Sequence, residues 1–191
     1  MSLFVQNKNT MEQKAWRRRR LKIIEMAIFA MFGVMMFCGK LWMEGLPNVH
    51  PLAMFTVLLT VVYRKKALIP IYLYVFLNGV YAGFSMWWLP YLYLWALLWG
   101  AAMLLPKNMP KRVCVVVYPA LCFLHGILFG TLYAPAQAIM FHLTWKQMLA
   151  WIVSGLPFDL IHGVGNLVMG MLVYPLVQLL RMLNRRVGIG D

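Results

Sequence analysis

The chain has 191 residues, of which 63% are hydrophobic and 12% are charged, and its mean hydropathy is +0.72. Soluble proteins average about 25% charged residues, so this composition excludes an ordinary soluble domain and predicts an integral membrane protein. Eighteen Lys and Arg against five Asp and Glu give a net charge of +13. In a soluble chain that excess would favour a nucleic-acid partner.

The pattern of apolar segments predicts one all-α membrane domain, residues 1–191, with six membrane-spanning helices. Residues 1–21 form a polar, basic tail that ends in four arginines at 17–20, typical of a segment that contacts anionic lipid. The predicted spans are 23–42, 52–63, 67–85, 89–105, 113–133 and 147–180, and residues 181–191 form a second basic tail. A hydrocarbon core of about 30 Å suits most of these lengths, although the second span is short. Gly155 and Pro157 predict a break within the last helix.

The basic residues occupy alternate connections between the predicted helices. All except Lys40 and Lys146 fall before the first span at residue 23, at 64–66, at 107–112 or in the C-terminal tail. With six helices these four segments share one side of the membrane, which the positive-inside rule identifies as the cytoplasm. The sequence therefore predicts cytoplasmic termini, and topology accounts for the positive charge without a nucleic-acid partner.

The connections on the opposite side are rich in aromatic residues, notably Trp87, Trp88 and Tyr91. One interpretation is an aromatic belt at the membrane–water interface. A belt should occur at both faces, yet the basic side has few aromatic residues. The asymmetry favours an outward-facing ligand cavity lined with rings, which would suit a flat, partly apolar ligand with a few polar groups.

Several polar side chains lie inside the predicted spans. Asp159, His162 and Asn166 are spaced i, i+3, i+7 and so share one helix face. An Asp at the centre of a bilayer costs up to ~2.5–3.5 kcal/mol, so this face should contact protein or water. Whether Asp159 contacts a ligand or only orients His162 is left open, and Asn78 and His125 are equally compatible with hydrogen bonds between helices.

No motif specific to an enzyme is present. Ser154 lacks the flanking glycines of a nucleophile elbow, the Asp159–His162 spacing is not that of a known metal motif, and the three cysteines lie in apolar segments. We therefore predict no enzymatic activity, no metal and no cofactor. Two alternatives remain: an intramembrane enzyme that uses a Ser/His/Asp cluster, and a structural subunit without a ligand.

Three stretches carry a resemblance to a known family: Leu-Pro-Asn-Val-His at 46–50, Trp-Trp-Leu-Pro-Tyr-Leu-Tyr at 87–93, and Gly-Leu-Pro-Phe-Asp-Leu-Ile-His-Gly-Val-Gly-Asn at 155–166. With them, nearly the whole chain resembles the substrate-binding S component of energy-coupling factor (ECF) vitamin transporters, most of all the cobalamin-type branch. The resemblance implies a protein of the prokaryotic plasma membrane that captures a vitamin or related micronutrient from outside. Cobalamin is the ligand expected first, and a flavin, a pterin or a queuosine precursor would also suit a wide aromatic cavity.

The resemblance also implies partners and site residues. An S component has no ATPase of its own and docks onto a transmembrane coupling protein with two ABC ATPases. Docking uses small residues of the first helix, commonly Ala-x-x-x-Ala, whereas here Ala27, Ala30 and Gly33 are three apart. The ligand contacts expected under this interpretation are Asn48, His50, Trp87, Trp88, Tyr91, Asp159 and His162.

Overall fold

The computed structural model of the protein describes residues 2–45 and 49–189. Across those residues the chain is all-helical and contains no β-strand, which confirms the predicted all-α class. The α-helices of this part are α1 (Ser2–Trp42), α2 (Leu52–Tyr63), α3 (Leu68–Ala82), α4 (Tyr91–Met103), α5 (Lys111–Met140), α6 (Trp145–Gly170) and α7 (Val173–Val187). Short 3-10 turns lie at Arg64–Ala67 and Met86–Trp88.

Three helical segments in the described ranges are long and apolar enough to cross a membrane. They are Arg19–Trp42 within α1, the whole of α5 and the whole of α6. The helices α2, α3 and α4 have 12, 15 and 13 residues, which at 1.5 Å per residue gives lengths of roughly 18–22 Å. The described part of the chain therefore has three long apolar helices, as expected of a membrane protein, together with four shorter helices, the fourth of which is α7 with 15 residues.

The shorter helices lie in or against the interior of the bundle. In α2, every residue except Phe55 and Val62 is buried, and α2 packs against α4, α5, α6 and α7. Of its two buried threonines, Thr60 donates its hydroxyl to the Thr56 carbonyl at 2.6 Å, whereas the Thr56 hydroxyl has no partner among the described residues. A helix enclosed in this way contacts protein rather than lipid, so the length required of a lipid-facing helix does not apply to it.

The predicted break at residues 155–157 is wrong, because α6 runs through Pro157 without interruption. Proline removes one backbone hydrogen bond, but it is tolerated in apolar helices that neighbouring helices support. The chain turns instead at Met171 and Leu172, between α6 and α7. Pro175 explains the position of the turn, because its ring would clash with the carbonyl of residue 171 in a continuous helix.

Several helix ends also differ from the predicted spans. The helix α1 extends through the predicted N-terminal tail, α5 continues past Pro135 to Met140, and α7 includes most of the predicted C-terminal tail. Thr144 starts α6 two residues earlier than expected through a capping box, in which its side chain accepts from Gln147 N–H and the Gln147 side chain accepts from Thr144 N–H.

The helices α5 and α6 form a closely packed antiparallel hairpin. Glycines allow the close approach: a Cβ on Gly126 would lie 2.7 Å from Gly163 Cα, and a Cβ on Gly170 would lie 2.7 Å from Pro119 Cα. Small residues at such crossings let helix backbones approach in the absence of a hydrophobic driving force. The same packing places Gly130 directly against the Asp159 carboxyl group, and this contact positions the candidate site.

Candidate functional site

A cavity of about 510 Å³ opens between the start of α4, the second half of α5 and the part of α6 from Trp151 to His162. It lies at the end of the helix bundle opposite the basic connections, because α4 and α5 each reach it at the end away from residues 104–110. We call it the aromatic cavity. Its lining residues are Trp87, Tyr91, Phe129, Gly130, Tyr133, Gln137, Trp151, Gly155, Phe158, Asp159 and His162.

Aromatic rings from three helices form the walls of this cavity. The rings of Tyr133 and Trp151 are stacked with centroids 5.9 Å apart, and Phe129 stacks on Tyr133 at 6.4 Å. The ring of Tyr91 packs edge-on against Trp87 at 5.7 Å. A flat ring system can stack on such walls, since aromatic pairs favour centroid separations of about 4.5–7 Å.

Hydrogen bonds hold these aromatic walls together. The Tyr133 hydroxyl donates to the Trp87 carbonyl at 3.0 Å and so joins α5 to the segment before α4. The Tyr93 hydroxyl donates to the Leu132 carbonyl at 2.8 Å. These bonds connect neighbouring elements rather than residues of one helix, so the walls are fixed before any ligand binds.

The polar group of the aromatic cavity is the carboxyl of Asp159, whose residue is only 6% exposed. Its Oδ1 accepts from the backbone N–H of Gly130 at 3.1 Å. Its Oδ2 is buried and has no hydrogen-bond partner among the described residues. Asp159 is a lining residue of the cavity, but this second oxygen is enclosed, so a donor group of a ligand could pair with it only after a small shift of the carboxyl group.

Three histidines surround the base of the cavity. The rings of His50 and His162 pack edge-on with centroids 4.8 Å apart, and Phe129 packs against His162 at 4.9 Å. The His125 Nε2 lies 3.3 Å from the Leu94 carbonyl, which can only accept, so Nε2 carries the proton. Trp95 joins the group through its ring contact with His125 at 5.4 Å.

His50 is the histidine of this group that lies outside the helices. Burial is the main reason that its pKa is lowered to about 4, against the opposing effect of a backbone hydrogen bond. The ring is therefore neutral at physiological pH, and it presents one donor and one acceptor nitrogen.

Unpartnered polar atoms are concentrated around this base. Within the described part of the chain, the buried atoms without a hydrogen-bond partner include Nδ1 of His50, Nε1 of Trp95, Nδ1 of His125, Oδ2 of Asp159, Nε2 of His162, and both amide atoms of Asn166. A buried polar group left unpaired costs about 1–3 kcal/mol. Such a concentration is typical of a site where water or a ligand supplies the missing partners.

The structure brings together four of the predicted ligand contacts, namely Trp87, Tyr91, Asp159 and His162, which all line the aromatic cavity. His50 lies beneath them, against His162. Trp88 does not line the cavity: its indole N–H donates to the Val75 carbonyl at 2.8 Å, which anchors the segment before α4 to α3. The prediction for Asn48 lies outside the described residues.

The sequence prediction omitted several lining residues from α5 and α6. Phe129, Tyr133 and Gln137 are spaced i, i+4, i+8, and Trp151, Gly155 and Asp159 repeat the same spacing. Residues four apart share a helix face, so this regular spacing was the available signal. Nothing else in the sequence distinguishes Phe129 or Phe158 from the other apolar residues of their helices.

The alternative sites considered from the sequence are not assembled in the described residues. The Ser154 hydroxyl donates to the Ala150 carbonyl at 2.8 Å within its own helix, and Ser154 is not part of the cavity lining. His142 is exposed in the turn between α5 and α6. No group of three or more His, Cys, Asp or Glu side chains arranged to hold a metal ion occurs in the part of the chain that the structure describes.

The three small residues predicted for partner docking have different surroundings. Ala27 and Ala30 are exposed on α1. Gly33 is buried, and a Cβ there would lie 2.6 Å from Leu73 Cδ2. Gly33 therefore serves the packing of α1 against α3, and the two alanines remain on a free surface.

Comparison of the chain with protein-family models, with curated proteins and with solved structures finds no match in any of the three.

Proposed function

We propose that this protein is a membrane-embedded binding subunit that captures a compact aromatic micronutrient from outside the cell and delivers it as the S component of an ECF-type importer. The observation that carries the proposal is the aromatic cavity, where stacked rings are combined with the buried side chains of Asp159 and His162. Rings with a few convergent polar groups are typical of small-molecule sites.

The proposed topology has six spans, formed by α1 to α5 and by α6 together with α7. The distribution of charge supports it, because Lys and Arg from the 64–66 turn, the 104–110 connection and α7 meet at one end of the bundle. The enclosure of α2 supports it too, since a helix surrounded by protein can be shorter than the hydrocarbon core. In this arrangement both termini are cytoplasmic and the aromatic cavity opens to the outside.

The chemistry of the cavity favours one class of ligand. Its volume of about 510 Å³ lies in the range of about 300–1,000 Å³ for drug-sized ligands. We infer a fused heterocycle that stacks on Tyr133 and Trp151 and directs an N–H or O–H group toward Asp159. Cobalamin, which the family resemblance implies, is larger than this cavity and could place only part of its structure there, so a flavin, a pterin or a queuosine precursor fits the proposal better.

A thermal-shift assay of the purified protein tests the proposal against these four ligand classes. A ligand present at 100 times its Kd is expected to add ~2.7 kcal/mol to the stability. Trp151→Ala should abolish this shift because it removes one stacking partner. The control is Trp145→Ala, since Trp145 belongs to the same helix but is 68% exposed and does not line the cavity. An absence of any shift, or equal losses in both variants, would refute a ligand site in this cavity.

A variant that fills the cavity separates loss of binding from loss of folding. Gly155 is part of the cavity lining. A Cβ built on it would have no described atom within 4 Å apart from the backbone of its own helix turn and its chain neighbours. Gly155→Leu is therefore expected to fold with unchanged stability but to bind at least tenfold more weakly. Unchanged affinity in this variant would place the ligand elsewhere.

Uptake measurements distinguish an importer subunit from the two alternatives. Cells that express the chain with an ECF module should accumulate the ligand in an ATP-dependent manner, and cells without the module should only bind it. Chemical conversion of the ligand by the isolated chain would favour the enzyme alternative. Uptake that is unaffected by Trp151→Ala would favour a structural subunit.

A further inference from the structure

A second cavity lies at the opposite end of the bundle and has a different chemical character. It measures about 280 Å³, and we call it the basic cavity. Residues from α1, α2, the following turn, the 104–110 connection and α7 line it: Glu25, Val61, Val62, Tyr63, Arg64, Lys66, Lys107, Arg181, Asn184, Arg185 and Ile189.

The charges of the basic cavity are strongly unbalanced. Glu25 is the acidic residue of the lining, and both of its carboxylate oxygens bind the Lys66 ammonium group, at 2.7 and 2.8 Å. Arg64, Lys107, Arg181 and Arg185 have no carboxylate partner among the described residues. Four cations around a small cavity repel one another, so an anion between them would be strongly attracted.

Two hydrogen-bonded contacts fix the geometry of this cavity and neutralise none of its positive charge. Arg64 has a left-handed backbone with a φ of 52°, which is unfavourable for a residue with a Cβ. In that conformation its guanidinium donates to the Leu105 and Met103 carbonyls at the end of α4. Carbonyl oxygens are uncharged, so Arg64 keeps its positive charge while its position is fixed.

The second contact joins α2 to α7. The Tyr63 hydroxyl donates to Asn184 Oδ1 at 3.0 Å, and both residues are buried. Because the carbonyl oxygen of the Asn184 amide is occupied, the amide NH₂ group is the part left to face a ligand. The lining therefore offers hydrogen-bond donors in addition to charge.

The surroundings favour a lipid as the source of the anion. Leu179, Met182, Leu183 and Val187 of α7 are 42–46% exposed and lie mostly on the side of the helix away from Arg181 and Arg185. An amphipathic helix of this kind can place its apolar side against acyl chains and its basic residues at the level of the headgroups. Basic pockets between helices on the cytoplasmic side of a membrane are suited to acidic headgroups.

We propose that the basic cavity binds the phosphate group of an acidic phospholipid, with Lys107, Arg181 and Arg185 as its principal contacts. The site is separate from the aromatic cavity and does not depend on the identity of the captured ligand.

Native mass spectrometry of the full chain, purified with equal amounts of phosphatidylglycerol and phosphatidylcholine, tests this site. The wild type should retain phosphatidylglycerol at least fivefold over phosphatidylcholine. The triple variant Lys107→Gln, Arg181→Gln, Arg185→Gln should lose this preference. The matched control is Lys65→Gln, Lys111→Gln, Arg112→Gln, which removes the same charge from three exposed residues that do not line the cavity.

Each outcome supports or overturns the proposal. Retention of the preference in the control but not in the cavity variant supports it, whereas equal losses would show attraction by net charge alone and overturn it. Displacement of the lipid by inorganic phosphate at similar concentration would assign the site to a soluble anion and overturn the lipid source. If the triple variant does not fold, Lys107→Gln alone provides the test, because Lys107 is exposed. This single change should weaken retention two- to threefold, and unchanged retention would contradict the proposal.

Discussion

Single residues decide the chemistry of the aromatic cavity, and Asp159 is the most informative. One of its oxygens accepts a backbone N–H from Gly130, and the other has no partner in the described structure. The sequence left open whether this side chain contacts a ligand or only stabilises packing. The structure shows a packing contact for the first oxygen and no partner for the second, so a ligand role would fall to the second oxygen.

Asp159→Asn should separate these two roles. The amide oxygen can still accept from Gly130 N–H, so thermal stability should change by less than about 1 kcal/mol. The ligand loses a charged acceptor, which contributes about 1.5–3 kcal/mol to a hydrogen bond and corresponds to roughly a 10- to 100-fold change in Kd. Isothermal calorimetry measures the affinity, and a variant that binds as tightly as wild type would limit Asp159 to a structural role.

How well individual residues could be predicted from the sequence depended on how unusual they were. Trp87, Tyr91, Asp159 and His162 stand out in an apolar chain, and all four line the cavity. Trp88 stands out equally but lies in a 3-10 turn, where adjacent side chains point in different directions, and it donates to Val75 instead. The sequence cannot show which neighbour faces inward, because tertiary contacts decide it.

At the scale of elements, the hairpin of α5 and α6 depends on glycine and proline, whose effects are context-dependent. Gly126, Gly163 and Gly170 allow close helix packing. Pro157 did not break its helix, whereas Pro175 coincides with the turn at Met171 and Leu172. Proline alone could not distinguish these cases, since Pro157 lies exposed within a continuous α6, as Pro119 and Pro135 lie within a continuous α5.

Gly126→Ala should destabilise the hairpin, since the added Cβ would lie 2.7 Å from the Gly163 backbone. Overpacking of this kind costs about 1–3 kcal/mol. The control is Gly100→Ala in α4, where no described atom outside the local helix lies within 4 Å and alanine should stabilise the helix by up to about 1 kcal/mol. Thermal unfolding in detergent compares the two, and an equal effect of both substitutions would argue against tight packing at Gly126.

For the whole molecule, aromatic and basic residues are concentrated at opposite ends of the helix bundle. The aromatic cavity and the basic cavity lie toward opposite ends of α5, so the molecule is polarised from end to end. Composition and charge distribution were sufficient to predict the all-helical class and this segregation. The number of spans is harder to predict, because a short interior helix and a short surface turn have similar hydropathy.

Reporter fusions distinguish six spans from three. Alkaline phosphatase fused after residues 65, 108 or 191 should be inactive, and fusions after residues 84 or 142 should be active, because the first set is cytoplasmic in the proposed topology. If only the three long apolar segments crossed the membrane, and residue 20 were cytoplasmic, residues 65, 108 and 191 would be outside. An active fusion at residue 191 would therefore contradict the six-span topology.

The continuity of α6 through Pro157 has a mechanical consequence. Its 26 residues extend over about 39 Å at 1.5 Å per residue, which is comparable to the thickness of a bilayer. Trp151 and Gly170 thus belong to one continuous helix, which ends at the turn of Met171 and Leu172. A ligand that tilted α6 at Trp151 would move α7 at the opposite end, so in the proposed topology occupancy of the aromatic cavity would be transmitted to the cytoplasmic surface.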